Sequence, residues 1–167
     1  MNKRLGVMRF IKQTCLYLSL FIVVSTGVDW YRTSDGLQEL PSALISQTID
    51  GESVDLVEMS SDSPVIVYFW ATWCSVCRFV SPSVSWLSDY YPTYAVALSS
   101  GSDARVQAFT QSHNYNFETI NDTQGSWMKS WQISVTPTIY ILHQGEIKSA
   151  TTGFTSPIGI LVRAWLS

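Results

Sequence analysis

From Pro64 the chain runs VIVYFW, apolar at consecutive positions, which predicts a strand buried on both faces at the centre of a sheet. Behind it Val76, Val80, Val84, Leu87 and Tyr91 recur at spacings of four, four, three and four, the period of a helix, and Pro82 inside that run is expected to kink it. YAVALSS at 94–100 predicts a second buried strand, and Asp103 to Asn114 a helix turning Val106 and Phe109 inward. An extended piece around FETI, a helical turn near Trp127 to Trp131, then the strands TPTIYIL and IKSATTG follow, the last two joined as a hairpin through HQGE with Gly145 in the turn. The chain closes on a helix with Ser156 as N-cap and Pro157 at its first position. Its Ile158, Leu161, Val162 and Trp165, at i, i+3, i+4 and i+7, are expected to cover one sheet face. The alternation of strands and helices makes the fold class α/β.

The N-terminus follows a different pattern. Lys3, Arg4, Arg9 and Lys12 precede the uncharged stretch QTCLYLSLFIVVSTGV, and no acid occurs before Asp29. This reads as a basic leader and a membrane-directed segment. Its apolar core, about 14 to 16 residues, has the length of a signal-peptide core rather than a full span. No small-residue cleavage site follows, however, and Trp30 and Tyr31 stand where interfacial aromatics would hold an uncleaved helix. The expected organisation is a signal-anchor over 1–30, a polar tether over 31–41 punctuated by Gly36 and Pro41, and one domain over 42–167. Cys15 reads as a small apolar residue of the segment.

With the cations on the cytoplasmic side, everything after residue 30 faces an extracytoplasmic space, and the location expected is a bacterial inner membrane with the domain in the periplasm. Of 10 Lys and Arg in the chain, 6 follow those four cations, against 13 Asp and Glu, a formal charge of −7 for the exported part. That balance argues against nucleic acid and against anionic lipid headgroups as partners.

Candidate chemistry centres on Cys74 and Cys77 in YFWATWCSVCRF, directly after the first buried strand. Structural zinc needs four ligands, and the chain offers only His113 and His143 besides, thirty residues apart and read as solvated surface side chains, so no metal site is expected. As a mere staple the pair would close a tiny loop and remove little entropy from the unfolded chain. At a helix N-terminus, by contrast, the first cysteine meets unpaired amides and the positive end of the helix dipole, which stabilise a thiolate. In that chemistry Cys74 exchanges with a partner disulfide or thiol and Cys77 resolves the mixed disulfide. The dithiol is its own redox centre, and no cofactor is expected. A rival reading is a copper-handling protein whose thiolate pair captures Cu(I).

FWATWCSVC followed by VTPT resembles the thioredoxin fold, a central mixed sheet flanked by helices. The N-terminal segment and the long spacing between the motifs resemble its membrane-tethered bacterial branch, the TlpA, ResA and CcmG type. Within that branch the sequence is similar to the ScsD proteins of suppressor-of-copper-sensitivity systems and the DsbE-like disulfide oxidoreductases grouped with them, over about residues 38 to 167. The resemblance implies a TlpA-like insert, placed at 99–122, since Cys74 and Pro137 lie 63 positions apart. It implies that Pro137 is a cis proline against the disulfide and that the Thr136 backbone pairs with an extended substrate. Trp73 is expected to be exposed in an apolar docking surface and Trp70 to lie in the core.

Two positions depart from the pattern. Thioredoxin carries a buried Asp six residues before its first cysteine, where this chain has Tyr68; the ResA and CcmG type carries a Glu three residues after the second, where this chain has Val80. Both acids serve proton transfer with the buried cysteine, so their absence argues against fast reductase behaviour. Glu118 and Asp122 are the acids left to consider as substitutes. Ser75-Val76 has neither the His of strong oxidants nor the Gly-Pro of thioredoxin, and the direction of electron flow stays open. The partners implied are periplasmic protein thiols and disulfides, with a DsbD- or ScsB-like membrane protein as electron donor for a reductase and a quinone-linked partner for an oxidase.

Overall fold

The computed structural model describes residues 44–167 together with Lys12, Gln13, Leu16, Tyr17, Leu20 and Pro41. Apart from those positions, the signal-anchor expected over 1–30 and the tether expected over 31–41 lie outside the described residues. Among the described residues no helix is long and apolar enough to cross a membrane.

In chain order the elements are β1 (Ile45–Gln47), β2 (Ser53–Asp55), α1 (Leu56–Met59), β3 (Val65–Trp70), α2 (Cys77–Leu87), β4 (Thr93–Leu98), α3 (Asp103–Ser112), β5 (Glu118–Asp122), α4 (Ser126–Ser130), β6 (Thr138–His143), β7 (Glu146–Thr152) and α5 (Pro157–Leu166). Five strands form one sheet in the order β5-β4-β3-β6-β7, and β1 pairs with β2 in a separate hairpin. β3, β4 and β5 are parallel, while β6 runs against both β3 and β7. Residues 99–122, where an insert is expected, hold α3 and β5, and β5 is an edge strand of the sheet.

Connectivity decides which face each helix covers. The crossovers from β3 to β4 and from β4 to β5 step in the same direction, and right-handed crossovers then place α2 and α3 on the same face. There Ile66, Tyr68 and Trp70 meet Cys77, Val80 and Val84 of α2, Val106 of α3, and Ile160 and Ala164 of α5. The alternate residues Val65, Val67 and Phe69 point the other way. They meet Val54 and Leu56 from the hairpin and α1, Trp127 of α4 and Trp131 directly after it. Every residue of β3 is buried, as its unbroken apolar run predicts, and each large side chain so buried contributes about 1.5–3 kcal/mol.

Local chemistry sets the ends. Asp55 caps α1 by accepting from the amides of Val57 and Glu58 at 3.0 and 3.3 Å. β4 stops two residues short of the expected YAVALSS because Ser99 turns to φ +46° and leaves the extended region. Gln144 and Gly145, at φ +55° and +68°, make the tight turn between β6 and β7.

Two expectations need correction. α2 begins at Cys77 rather than at Cys74, and it runs to Leu87 with Pro82 inside it. In α5 the buried side chains are Ile160 and Ala164, with the expected Leu161 partly buried against the same layer, whereas Ile158 and Trp165 are 72 % and 77 % exposed. The sequence PIGILVRAWL is apolar on nearly every side, so periodicity alone cannot choose between its two stripes. The hairpin of β1 and β2, whose strands span only three residues each, escapes a pattern search altogether.

Candidate functional site

The site forms at the carboxyl ends of β3 and β4. Trp70 pairs with Ala97 in the parallel register, so the segment after β3 meets the segment after β4. Thr72 donates its amide to Ser100 Oγ at 3.0 Å, and Trp73 donates its indole N–H to the Ser99 carbonyl at 3.1 Å. These bonds fix the loop that carries Cys74. On the other flank Phe69 pairs with Thr138, which sets Pro137 beside Trp70. The Thr136–Pro137 peptide bond is cis, and the Pro137 carbonyl accepts the Gly153 amide at 2.8 Å.

Cys74 and Cys77 are joined as a disulfide with Cα atoms 5.3 Å apart. Cys74 keeps 6 % of its surface exposed and Cys77 1 %. The Cys77 amide donates to Cys74 Sγ at 3.1 Å. Val76, the N-cap residue, provides no side-chain acceptor, so this sulfur takes the first amide that α2 offers. The same amide is positioned to stabilise a thiolate there.

Around the pair the surface is apolar. Trp73 is 62 % exposed, Phe79 72 % and Val135 52 %, with Val76 beside them. Trp73, Met128, Ile133, Val135 and Thr136 line a pocket of about 100 Å³. The structure therefore brings Trp73 and Thr136 to one pocket and Pro137 to the adjoining strand end. Met128 and Val135 were not singled out in the sequence; Met128 reaches the pocket because Asp122 accepts its amide at 2.9 Å and the Ser126 hydroxyl at 3.1 Å, fixing the start of α4.

Beneath Cys77 the core is neutral. Tyr68 is fully buried, and its hydroxyl lies 2.9 Å from Ser81 Oγ. Burial pushes the Tyr68 phenol well above its ordinary range, while the hydrogen bond to Ser81 works in the other direction. Val80 is buried among apolar side chains. Neither acid considered as a substitute faces Cys77: Ile120 belongs to the opposite core layer, and the strand alternation puts Glu118 and Asp122 on that same side. Burial first, then Glu52 and Asp50, hold the Glu118 carboxyl above its ordinary range. His113 is exposed and stacked on Phe109, and His143 is half-buried with Nδ1 2.7 Å from the Ser167 carbonyl oxygen. Among the described residues no group of three or more His, Cys, Asp or Glu converges to hold a metal ion.

A thioredoxin-type sheet with a Cys-x-x-Cys pair at the head of the helix after its central strand defines the thiol–disulfide oxidoreductases. Residues 38–150 match the model of the AhpC/TSA family, and the chain belongs to that family. A thioredoxin-like protein of Haemophilus influenzae is 36% identical over 148 residues, 88% of either chain. The thiol-disulfide oxidoreductase ResA of Oceanobacillus iheyensis is 29% identical over 162 residues, 87% of this chain and 82% of its own. The crystal structure of StoA from Bacillus subtilis shares the fold, with a TM-score of 0.63 at 24% identity over 76% of this chain and 98% of that one. The chain is a thiol–disulfide oxidoreductase of the DsbE and ResA type, with its cysteine pair at 74 and 77.

Proposed function

We propose that the protein exchanges disulfides with other proteins in an extracytoplasmic space, Cys74 attacking or being attacked and Cys77 resolving. The observation that carries this reading is the asymmetry of the pair: Cys74, 6 % exposed, accepts the opening amide of α2 at its sulfur, whereas Cys77 is 1 % exposed. Trp73, Thr136 and Pro137 position the partner, an extended segment lying along the pocket beside Cys74. The cationic leader and apolar stretch of residues 1–30 act as an uncleaved anchor in a bacterial inner membrane, with the domain in the periplasm; the sequence pattern supports this. For a reductase role a DsbD- or ScsB-like membrane protein would supply electrons. A link to copper tolerance rests on the resemblance to ScsD proteins.

The test is partner trapping. Cys77→Ser should accumulate mixed disulfides that dithiothreitol releases, and Cys74→Ser should accumulate none. Equal trapping by both variants would refute the assigned roles. The reduction potential then gives the direction, with a value near roughly −270 mV marking a donor of electrons and one near roughly −120 mV an acceptor.

A further inference from the structure

α2 turns one face to the core and leaves another open. Val80, Val84 and Leu87 are buried in the layer that holds Ile66 and Tyr68. Away from them Val76, Phe79, Ser83, Trp86 and Tyr90 recur at spacings of three, four, three and four, the repeat of a seam that packs on another helix. Val76 is 42 % exposed, Phe79 72 %, Trp86 48 % and Tyr90 66 %. Tyr90 lies past the last residue of α2, but its amide donates to the Leu87 carbonyl at 3.0 Å and its ring centre is 5.3 Å from that of Trp86. The stripe thus runs from Val76, between the two cysteines, to the far end of the helix, about 21 Å along the axis.

An exposed apolar stripe of this kind marks a surface that another molecule covers, and the charges beside it point to which molecule. Arg78 and Asp89 are exposed on one flank of the stripe, three turns apart. That is about 16 Å along the axis, too far for the two to pair within one chain. Among the described residues neither takes part in an ion pair. Laying the stripe antiparallel on a copy of itself, centred on Ser83, sets Val76 against Tyr90, Phe79 against Trp86, and Arg78 against Asp89 of the other chain. At the centre both chains bring the small, half-buried Ser83, which lets the helices approach. α5 also has an exposed stripe, in Ile158, Val162 and Trp165. Its charges are Arg163 alone, with no acid, so no register of α5 on itself brings opposite charges together.

We propose that this face of α2 binds the same face of a second copy of the chain, as an antiparallel, two-fold symmetric helix pair. The apolar side chains supply the attraction, with Phe79 of each copy against Trp86 of the other. The two Arg78–Asp89 pairs, exposed and individually weak, fix register and orientation. The acidic balance of the domain opposes association at long range, where salt screens it. A single helix pair is a small interface, so the dimer forms reversibly. Tyr90 of the second copy then stands beside Val76, and each copy covers part of the apolar surface that flanks the other's cysteine pair.

Sedimentation of the full-length protein in neutral detergent should shift from monomer toward dimer as its concentration rises to roughly 100 μM. Cross-linking then places the contact. The chain has three cysteines, so with Cys15→Ser and the Cys74–Cys77 disulfide intact, Ser83→Cys supplies one free thiol, and a short bis-maleimide should join two copies through it. Arg78→Asp and Asp89→Arg should each lower that yield at least roughly fivefold by setting like charges together, and the two combined should restore it. Both positions are exposed, and thermal midpoints close to the parent's report that the variants fold. A protein that sediments as a monomer throughout would overturn the proposal, whatever the reactivity of the introduced thiol. A yield indifferent to the single reversals, or a double reversal no better than the singles, would overturn it too. More dimer through Trp165→Cys than through Ser83→Cys would move the contact to α5 and refute the assigned face.

Discussion

The amide of Cys77 points at Cys74 Sγ across 3.1 Å, so the sulfur that meets a partner is also the acceptor for the opening amide of α2. Reduction leaves that amide facing a thiol or a thiolate. It favours the thiolate, as a cap favours a negative charge.

Selective alkylation follows from this arrangement. In the reduced protein at pH 7, iodoacetamide should label Cys74 roughly tenfold faster than Cys77, since thiolate character and access both favour it. Peptide mapping after brief labelling gives the ratio, and equal labelling would contradict the asymmetry.

Trp73 is the wall of the pocket that a partner would touch. Trp73→Ala should lower kcat/KM for a peptide disulfide by roughly tenfold, about 1.4 kcal/mol, the scale of one lost aromatic contact. Trp73→Phe should recover part of that loss, because it restores a ring without the N–H that holds Ser99. Thermal unfolding of both should stay close to the parent, as the indole is mostly exposed.

Trp131 and Trp165 make a contrasting pair. Trp131 is fully buried against Phe69, Tyr140 and Trp127, with ring centres 5.2, 5.1 and 5.9 Å away. Trp131→Ala should cost about 3–5 kcal/mol of stability, and Trp165→Ala no more than about 0.5 kcal/mol. Denaturant titrations at constant slope test both.

Glu118 gives a pH dependence. Burial and the carboxylates of Glu52 and Asp50 raise its folded pKa above the unfolded one, so the unfolded chain takes on the charge more readily. Its contribution favours folding while the carboxyl is protonated, below the unfolded value, and is lost as pH rises through the folded value. Glu118→Gln should therefore raise the unfolding temperature at pH 7 by about 2 °C and leave it nearly unchanged at pH 4. A lower midpoint at pH 7 would reverse the sign assigned here.

Much of the site was legible because its signals are local. VIVYFW fixes the central strand, the cysteine spacing follows it directly, and Ser156-Pro157 marks the last helix. What escaped depends on distant contacts. Met128 comes to the pocket through the carboxylate of Asp122, a bond with no signature in spacing. Glu118 and Asp122 could be assigned a side of the sheet only once the parallel register of β4 and β5 was known. The outward face of α5 was misread because a helix apolar almost all round leaves the choice of stripe to its neighbours.

Placing α2 and α3 on one side of the sheet leaves Val65, Val67 and Phe69 to be sheltered from the other. Part of that shelter comes from the stretch before β3: Val54 and Leu56 are buried against that side with Leu44 packed beside them, and the Leu56 amide donates to the Leu44 carbonyl at 3.0 Å. A fragment starting at Pro64 would keep all five strands of the sheet, both cysteines and Pro137, yet would bare much of one side of its central strand to water. The smallest excisable unit that carries the redox pair thus reaches back at least to Leu44, and expression boundaries drawn at the first strand of the main sheet would yield a sticky, aggregating product rather than a working one.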